Sequence, residues 1–195
     1  MEEVSSKPRR PRADALRNRL RLLAAADEVF RAAGSDAPLD QVARRAEVGI
    51  GTLYGHFPTR RALIAALLAE RNQELFDHGD RLIEQVVTID TVGEWVRAVV
   101  RHAATYQGLA VVLAESLGDD ASEMHESCVR ISDIGAELLR RAEGTGTLAP
   151  DASAQDVFTL ISAAAWTREH AGEGQAERLI VLTLDGLRRQ NHPAR

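Results

Sequence analysis

The chain has a single cysteine, Cys128, among its 195 residues. That excludes an intrachain disulfide and fits a reducing compartment. Long apolar runs are missing as well: stretches such as Leu63 to Ala69 fall far short of the roughly 20 residues a membrane-spanning helix needs. The start, MEEVSSKPRRPR, lacks the apolar centre of a signal peptide, so a soluble cytoplasmic protein with no membrane partner is expected. Strand-like alternation is absent, and helices are expected instead. The sequence has no H-E-x-x-H, no G-x-S-x-G and no paired cysteines, which argues against a metal site, a cofactor and enzymatic activity. The six histidines are scattered. His102 and His125 remain open as a converging pair of ligands or bases, with ordinary surface or core positions as the plainer reading.

Charge is present but unevenly placed. The net charge is −5, yet residues 1–71 carry 13 Lys and Arg against 9 Asp and Glu, while the rest carries 11 against 20. A basic head on an acidic body is steered toward DNA in one orientation.

The most informative stretch is LDQVARRAEVGIGTLYGHFP, from Leu39 to Pro58. Leu39, Val42, Ala43 and Ala46 fall on one helical face. Val48, Leu53 and Phe57 resume after a turn centred on Glu47, and Pro58 stops the second helix. Arg44, Arg45, Thr52, Tyr54, His56 and Arg60 are left outward, which suits a DNA-binding helix-turn-helix. Leu22, Ala25, Ala26, Val29, Phe30 and Ala33 follow the i, i+3, i+4, i+7 pattern of an earlier helix that Gly34 ends. This helix supplies the neighbour that two short helices require.

With its G-T-L-Y-x-H-F-P core at Gly51 to Pro58, this region resembles the N-terminal domain of the TetR (tetracycline repressor-like) family of ligand-responsive transcriptional regulators. The resemblance covers about the first third of the chain. It implies phosphate contacts at or beside Thr52, Tyr54 and His56, and at Arg60, where the family usually has a lysine. Hydroxyls of Thr52 and Tyr54 donate to phosphate oxygens, and Thr59 is placed to cap the helix that Arg60 opens. For Tyr54 the plainer reading is a half-buried aromatic, and both hold at once with the ring inside and the hydroxyl outside. The sequence departs from the family pattern at Gly49, Ile50 and Gly55, none of which offers a side-chain hydrogen bond to a base edge. Direct readout is then thin: Ile50 against a thymine methyl, Gly55 allowing close backbone approach, and Gln41, Arg44 or Thr52 reaching a base. DNA shape and half-site spacing carry the balance. Gly49, Gly51 and Gly55 also spell G-x-G-x-x-x-G, which misses the dinucleotide fingerprint by one residue and follows a helix where a strand is needed.

The expected architecture is all-α: a basic arm over residues 1–13, a three-helix DNA-binding domain over 14–58, and a helical ligand-binding and dimerisation domain over 59–195. The arm suits a minor groove or simple solvation. Asp36 or Asp40 is expected to cap the second helix. A fourth helix begins near Thr59, with the Asp77 to Asp80 tetrapeptide as a weak point, and acts as a lever between the domains. Thr91 with Glu94, and Ser153 with Asp156, have capping-box spacing. Leu109 to Leu117 makes a short helix ended by Gly118, a longer one starts at Ser122, and Gly172 to Gly174 divides the last two.

The last helix, about Gln175 to Arg189, is apolar on more than one side and must bury two faces. The resemblance implies a homodimer through the last two helices, with Ala164, Thr167, Leu179, Val181, Leu182 and Leu187 at the interface; deep burial in a monomer is the alternative. Trp95, Leu113, Leu117, Met124, Cys128, Phe158, Ser162 and Trp166 are candidates to line an effector pocket. The function these readings converge on is a DNA-binding regulator, a repressor released from a palindromic operator by a small apolar or amphipathic effector. Two alternatives are a redox-sensing regulator acting through Cys128 and a helical small-molecule enzyme.

Overall fold

A computed structural model of the chain describes residues 10–149 and 152–188, with side chains from Ala13 onward. Among them are nine α-helices and no named strand. The chain divides into two compact units, Met1–Leu67 and Leu68–Arg195.

In the first unit, α1 (Arg10–Ala33) buries Leu22, Ala26 and Phe30 completely and ends at Gly34, whose positive φ lets its N–H return to the Phe30 carbonyl. Its start lies four residues before the expected Asp14, with Pro11 in the first turn, where a missing N–H costs nothing. The arm expected at residues 1–13 is therefore partly helix, and residues 1–9 lie outside the described residues. Helix α2 (Leu39–Arg45) buries Leu39, Val42 and Ala43. It starts behind Pro38 with no side-chain cap. The caps expected from Asp36 or Asp40 are not made, and Asp40 pairs instead with Arg44 one turn on, at 2.8 Å.

A tight turn follows. Val48 N–H returns to Ala43 O and Glu47 N–H to Arg44 O, with Glu47 itself in the left-handed region at φ 52°. This is a Schellman ending, and it aims α3 (Ile50–His56) away from α2. Leu53 and then Phe57 anchor α3 to the core. Helix α4 (Arg60–Ile83) opens with Thr59 Oγ1 accepting from Ala62 N–H at 2.9 Å, as its spacing predicts.

The tetrapeptide Asp77 to Asp80 does not interrupt α4. Gly79 is there for closeness: a Cβ on it would stand 2.6 Å from Ile134 Cγ2 and 2.9 Å from the Trp95 ring. In the second unit α5 (Ile89–Ala103) is the most buried helix, and α7 (His125–Gly144), α8 (Ala154–Ala171) and α9 (Glu173–Leu187) pack on it. Helix α6 (Leu109–Leu117) runs between Gly108 and Gly118 and lies on α7 and α8.

Two starts differ from the sequence reading. The capping box of α5 is Thr88 with Thr91, one turn ahead of Thr91 with Glu94, because Ile89 is fully buried and must already be helical. Helix α7 begins at His125 and not at Ser122, since Ser122 and His125 donate their N–H groups to Asp119 O and Ser122 O in successive turns. The Ser153 and Asp156 box does form. Arg97 ties α5 to α9 through Glu177 at 2.7 Å, and Ala149 N–H reaches Leu187 O at 2.8 Å.

Candidate nucleic-acid interface and interior cavity

Burial on α3 is one-sided. Leu53 is fully buried, while Ile50 is 43% and Tyr54 49% exposed. Gly49, Gly51 and Gly55 are exposed as well, and a methyl added to any of them would meet nothing within 4 Å. Thr52 and His56 are half-buried at the edges of this face, and Gln41 and Arg44 of α2 are exposed. At 49% exposed Tyr54 is about half covered, which suits a half-buried ring with an outward hydroxyl.

Most nearby cations hold exposed partners. Arg44 pairs with Asp40, Arg45 with Glu28 of α1, and Arg21 with Glu47 at 2.8 Å. Pairs this exposed contribute little, so exchanging a carboxylate for a phosphate costs little. Arg19 lies over the Phe57 ring, its guanidinium carbon 4.7 Å from the centroid. Arg60 behaves differently from the expectation of a plain phosphate ligand. It is half-buried, and one terminal nitrogen donates to the carbonyls of Ser35 and Ala37, both at 2.7 Å. It holds the α1–α2 loop through two of that loop's carbonyls.

The second unit contains a two-lobed cavity. One lobe is lined by Val99, His102, Leu113, Cys128, Ser162 and neighbours, and the other by Trp95, Gly135, Ala136, Val157 and neighbours. Val99, Leu117, Ile131, Ser132, Phe158 and Ile161 belong to both, so the lobes adjoin. The candidates Trp95, Leu113, Leu117, Cys128, Phe158 and Ser162 are brought together here.

Two candidates are not. Met124 is buried at the head of α7 outside this wall, and Trp166 is 58% exposed and stacked on His170 at 4.3 Å. The sequence reading missed His102 and Val99, although Trp95, Val99 and His102 follow one another at i, i+4 and i+7. His125 has other surroundings, facing Ser116 O and Asp120. Burial, helped by the charge of Arg71, holds the His102 imidazole down at about 4, and burial pushes the Cys128 thiol up to about 11.

On α8 and α9 the apolar residues divide. Ala164, expected at an interface between copies, is fully buried in the core of its own chain, so that expectation is corrected. Leu179 and Leu187 are half-buried against the same core, and Thr167 turns its hydroxyl onto Ala163 O. Val181 at 40% and Leu182 at 60% remain outward.

Sequence comparison matches residues 22–67 to the family described as bacterial regulatory proteins, tetR family, and residues 89–189 to the SbtR-like transcriptional regulator C-terminal domain. The second match alone covers just over half the chain. The chain belongs to the TetR family of transcriptional regulators. The HTH-type transcriptional regulator SrpR of Pseudomonas putida is 36% identical over 153 residues, 72% of this chain and 68% of that one. A TetR regulator structure from Streptomyces coelicolor is 34% identical, with a TM-score of 0.59 and coverage of 88% of this chain and 99% of the other. One from Mycobacterium vanbaalenii, also 34% identical, has a TM-score of 0.52 and covers 91% and 99%. As a TetR-family member the protein is a DNA-binding regulator of transcription. No described helix is long and apolar enough to cross a membrane.

Proposed function

We propose that the protein is a homodimeric repressor that leaves a palindromic operator when a small apolar or amphipathic effector fills the cavity of the second unit. The observation that carries this reading is the pairing of a bare α3 face with a separate apolar cavity in the same chain. The first suits a surface that a duplex covers, and the second a small molecule. Thr52, Tyr54, His56 and Arg44 supply phosphate contacts, with Arg60 both bracing and contacting, and Gln41, Ile50 and the α3 glycines meet the bases. Trp166, Val181 and Leu182, the large exposed hydrophobics of α8 and α9, favour these helices as the surface shared by two copies. Effector binding then shifts the population toward a dimer whose recognition helices no longer match the operator. Helix α4, which belongs to both units, is the segment through which that change would pass.

Titration of duplex DNA from the neighbouring chromosomal region, at several salt concentrations, tests the DNA arm. Arg44→Ala is expected to weaken binding across sequences and lower the salt slope by about one. Arg60→Ala is a poorer choice because it also releases Ser35 O and Ala37 O. A protein that stays monomeric and ignores duplexes of every sequence would overturn the reading. The redox alternative has little support, since Cys128 is buried, points its thiol at Leu113 O and holds its proton well above neutral pH.

A further inference from the structure

Among the described residues three buried side-chain polar atoms have no hydrogen-bond partner: Ser35 Oγ, Trp95 Nε1 and His102 Nε2. Trp95 and His102 both belong to the wall of the cavity. Buried polar groups are nearly always paired, because an unpaired one forfeits its hydration without return. Both nitrogens are covered, so a molecule that enters the cavity and shifts the side chains beside them would be hydrogen-bonded there.

Their placement constrains that molecule. Trp95 and His102 are seven residues apart on α5, on one face with Val99 between them, so about 10 Å of helix separates them. The indole N–H can only donate, so the group that meets it must accept. Gly135 lets α7 lie close beside that nitrogen, since a Cβ there would stand 3.2 Å from Trp95 Nε1. At the other end burial keeps the imidazole neutral, and a hydroxyl, which donates or accepts, pairs with either tautomer. Between them the wall is mostly apolar, with Val99, Ile131 and Phe158, and Ser132 is the one polar residue common to both lobes. No Lys, Arg, Asp or Glu lines either lobe, so a carboxylate or phosphate would be buried without a counter-charge, at high cost.

We propose that the cavity selects an uncharged, elongated effector with an apolar middle, a hydrogen-bond acceptor at the Trp95 end and a hydroxyl at the His102 end. This deepens the effector reading above and rests on it. Calorimetric titration of the full chain with four probes tests it: para-hydroxybenzylacetone, with a ketone and a hydroxyl at opposite ends; benzylacetone, without the hydroxyl; para-butylphenol, without the ketone; and para-hydroxyphenylpropanoate, with a charge. The two-ended probe is expected to bind about tenfold more tightly than either one-ended probe, and the propanoate most weakly. Trp95→Phe should erase the advantage of the ketone and keep that of the hydroxyl; His102→Phe should do the reverse. Should Trp95→Phe fail to fold, Gly135→Ala, which covers the same N–H, reports on that end.

Equal affinities for the three neutral probes, tightest binding by the propanoate, or no binding by any probe would overturn the proposal. The same probes added to the protein on duplex DNA separate it from the effector reading. Preferences as described without release of DNA would refute the effector role and leave the ligand class standing. Release by other compounds, with the polar ends of these probes making no difference, would do the opposite.

Discussion

Glycine serves opposite purposes in the two units. Around α3, a methyl on Gly49, Gly51 or Gly55 would meet nothing within 4 Å; on Gly79 of α4 it would collide with Ile134 and Trp95, and on Gly135 of α7 it would press on the Trp95 indole. The first group leaves the surface around α3 low, which suits the duplex-covered face proposed above. The second lets α4 and α7 approach the largest side chain of the interior. Trp95 therefore touches the cavity on one edge and α4 on another. The contrast separates glycines with open space beside them from glycines crowded by the interior.

Gly79→Ala carries the largest expected effect. Alanine normally gains up to about 1 kcal/mol over glycine inside a helix, but overpacking a dense interior costs about 1–3 kcal/mol, and both Ile134 and Trp95 are held from several sides. A net loss of about 1–2 kcal/mol in urea unfolding is expected. Gly93→Ala is the control: its new methyl would meet the tip of buried Leu184 at 2.8 Å and the end of Arg97 at 3.0 Å, where Gly79 meets two atoms of Ile134 and the Trp95 ring, so a smaller loss is expected. If Gly93→Ala costs as much as Gly79→Ala, the special status given to the Trp95 surroundings fails.

His102 extends the comparison to pH. Its folded-state pKa of about 4 lies below the ordinary 6.5, so between those values the unfolded chain binds more protons than the folded one. Stability contributed at neutral pH is then lost as pH falls from about 6.5 toward 4, at no more than about 1.4 kcal/mol per pH unit. His102→Leu should remove that slope and, by deleting an unpaired buried atom, melt no lower than the parent at pH 7. The lowered carboxylates Asp90, Asp156 and Glu177 lose their contribution only as pH falls below the ordinary carboxylate range, so pH 6.5 to 4.5 is the window to examine. Identical slopes in parent and variant would contradict the buried, neutral imidazole.

These interior features were poorly legible beforehand, whereas the first unit could be read almost residue by residue. Leu53, Phe57, Gly34 and the turn at Glu47 follow from periodicity and capping within a short span, because each helix there is fixed by its immediate neighbours. The cavity depends on which faces of α5, α7 and α8 meet, and spacing within one helix does not say so. Met124 and Trp166 are as large and apolar as Phe158, yet only Phe158 lines the wall. Gly79 read as a weak point in α4 for the same reason, since its purpose lies in Ile134 and Trp95, far along the chain. Ala164 failed in the other direction: the spacing of a small apolar residue along α8 does not say whether it faces its own core or a second copy.

Gly51→Ala probes the open side of the contrast. With nothing near its Cβ and a position inside α3, the variant should be more stable by up to about 1 kcal/mol, while its affinity for duplex DNA falls because the backbone can no longer approach as closely. Paired thermal unfolding and fluorescence anisotropy would read both. A gain in stability with unchanged DNA affinity would place Gly51 outside the contacting surface.

The smallest effect is expected at Glu47, where the two purposes of glycine meet in a residue that is not one. Glu47 is the only described non-glycine residue at positive φ, and it occupies the C′ position of the Schellman ending, where glycine is usual. A side chain in the left-handed region costs about 1 kcal/mol or somewhat more, set against the extra freedom that glycine loses on folding. The pair with Arg21 adds little to the balance, because the Glu47 side chain is 85% exposed. Glu47→Gly should therefore raise stability by about 0.5 kcal/mol or slightly more without moving α3. Since removing an acidic group beside the α3 face also lessens repulsion of phosphates, DNA affinity should rise at low salt and the gain should fade as salt is added. A variant that melts lower would mean that the Arg21 contact or the turn's own side-chain packing outweighs the backbone strain. A gain in affinity that persists at high salt would mean that the turn, and not its charge, sets the position of α3.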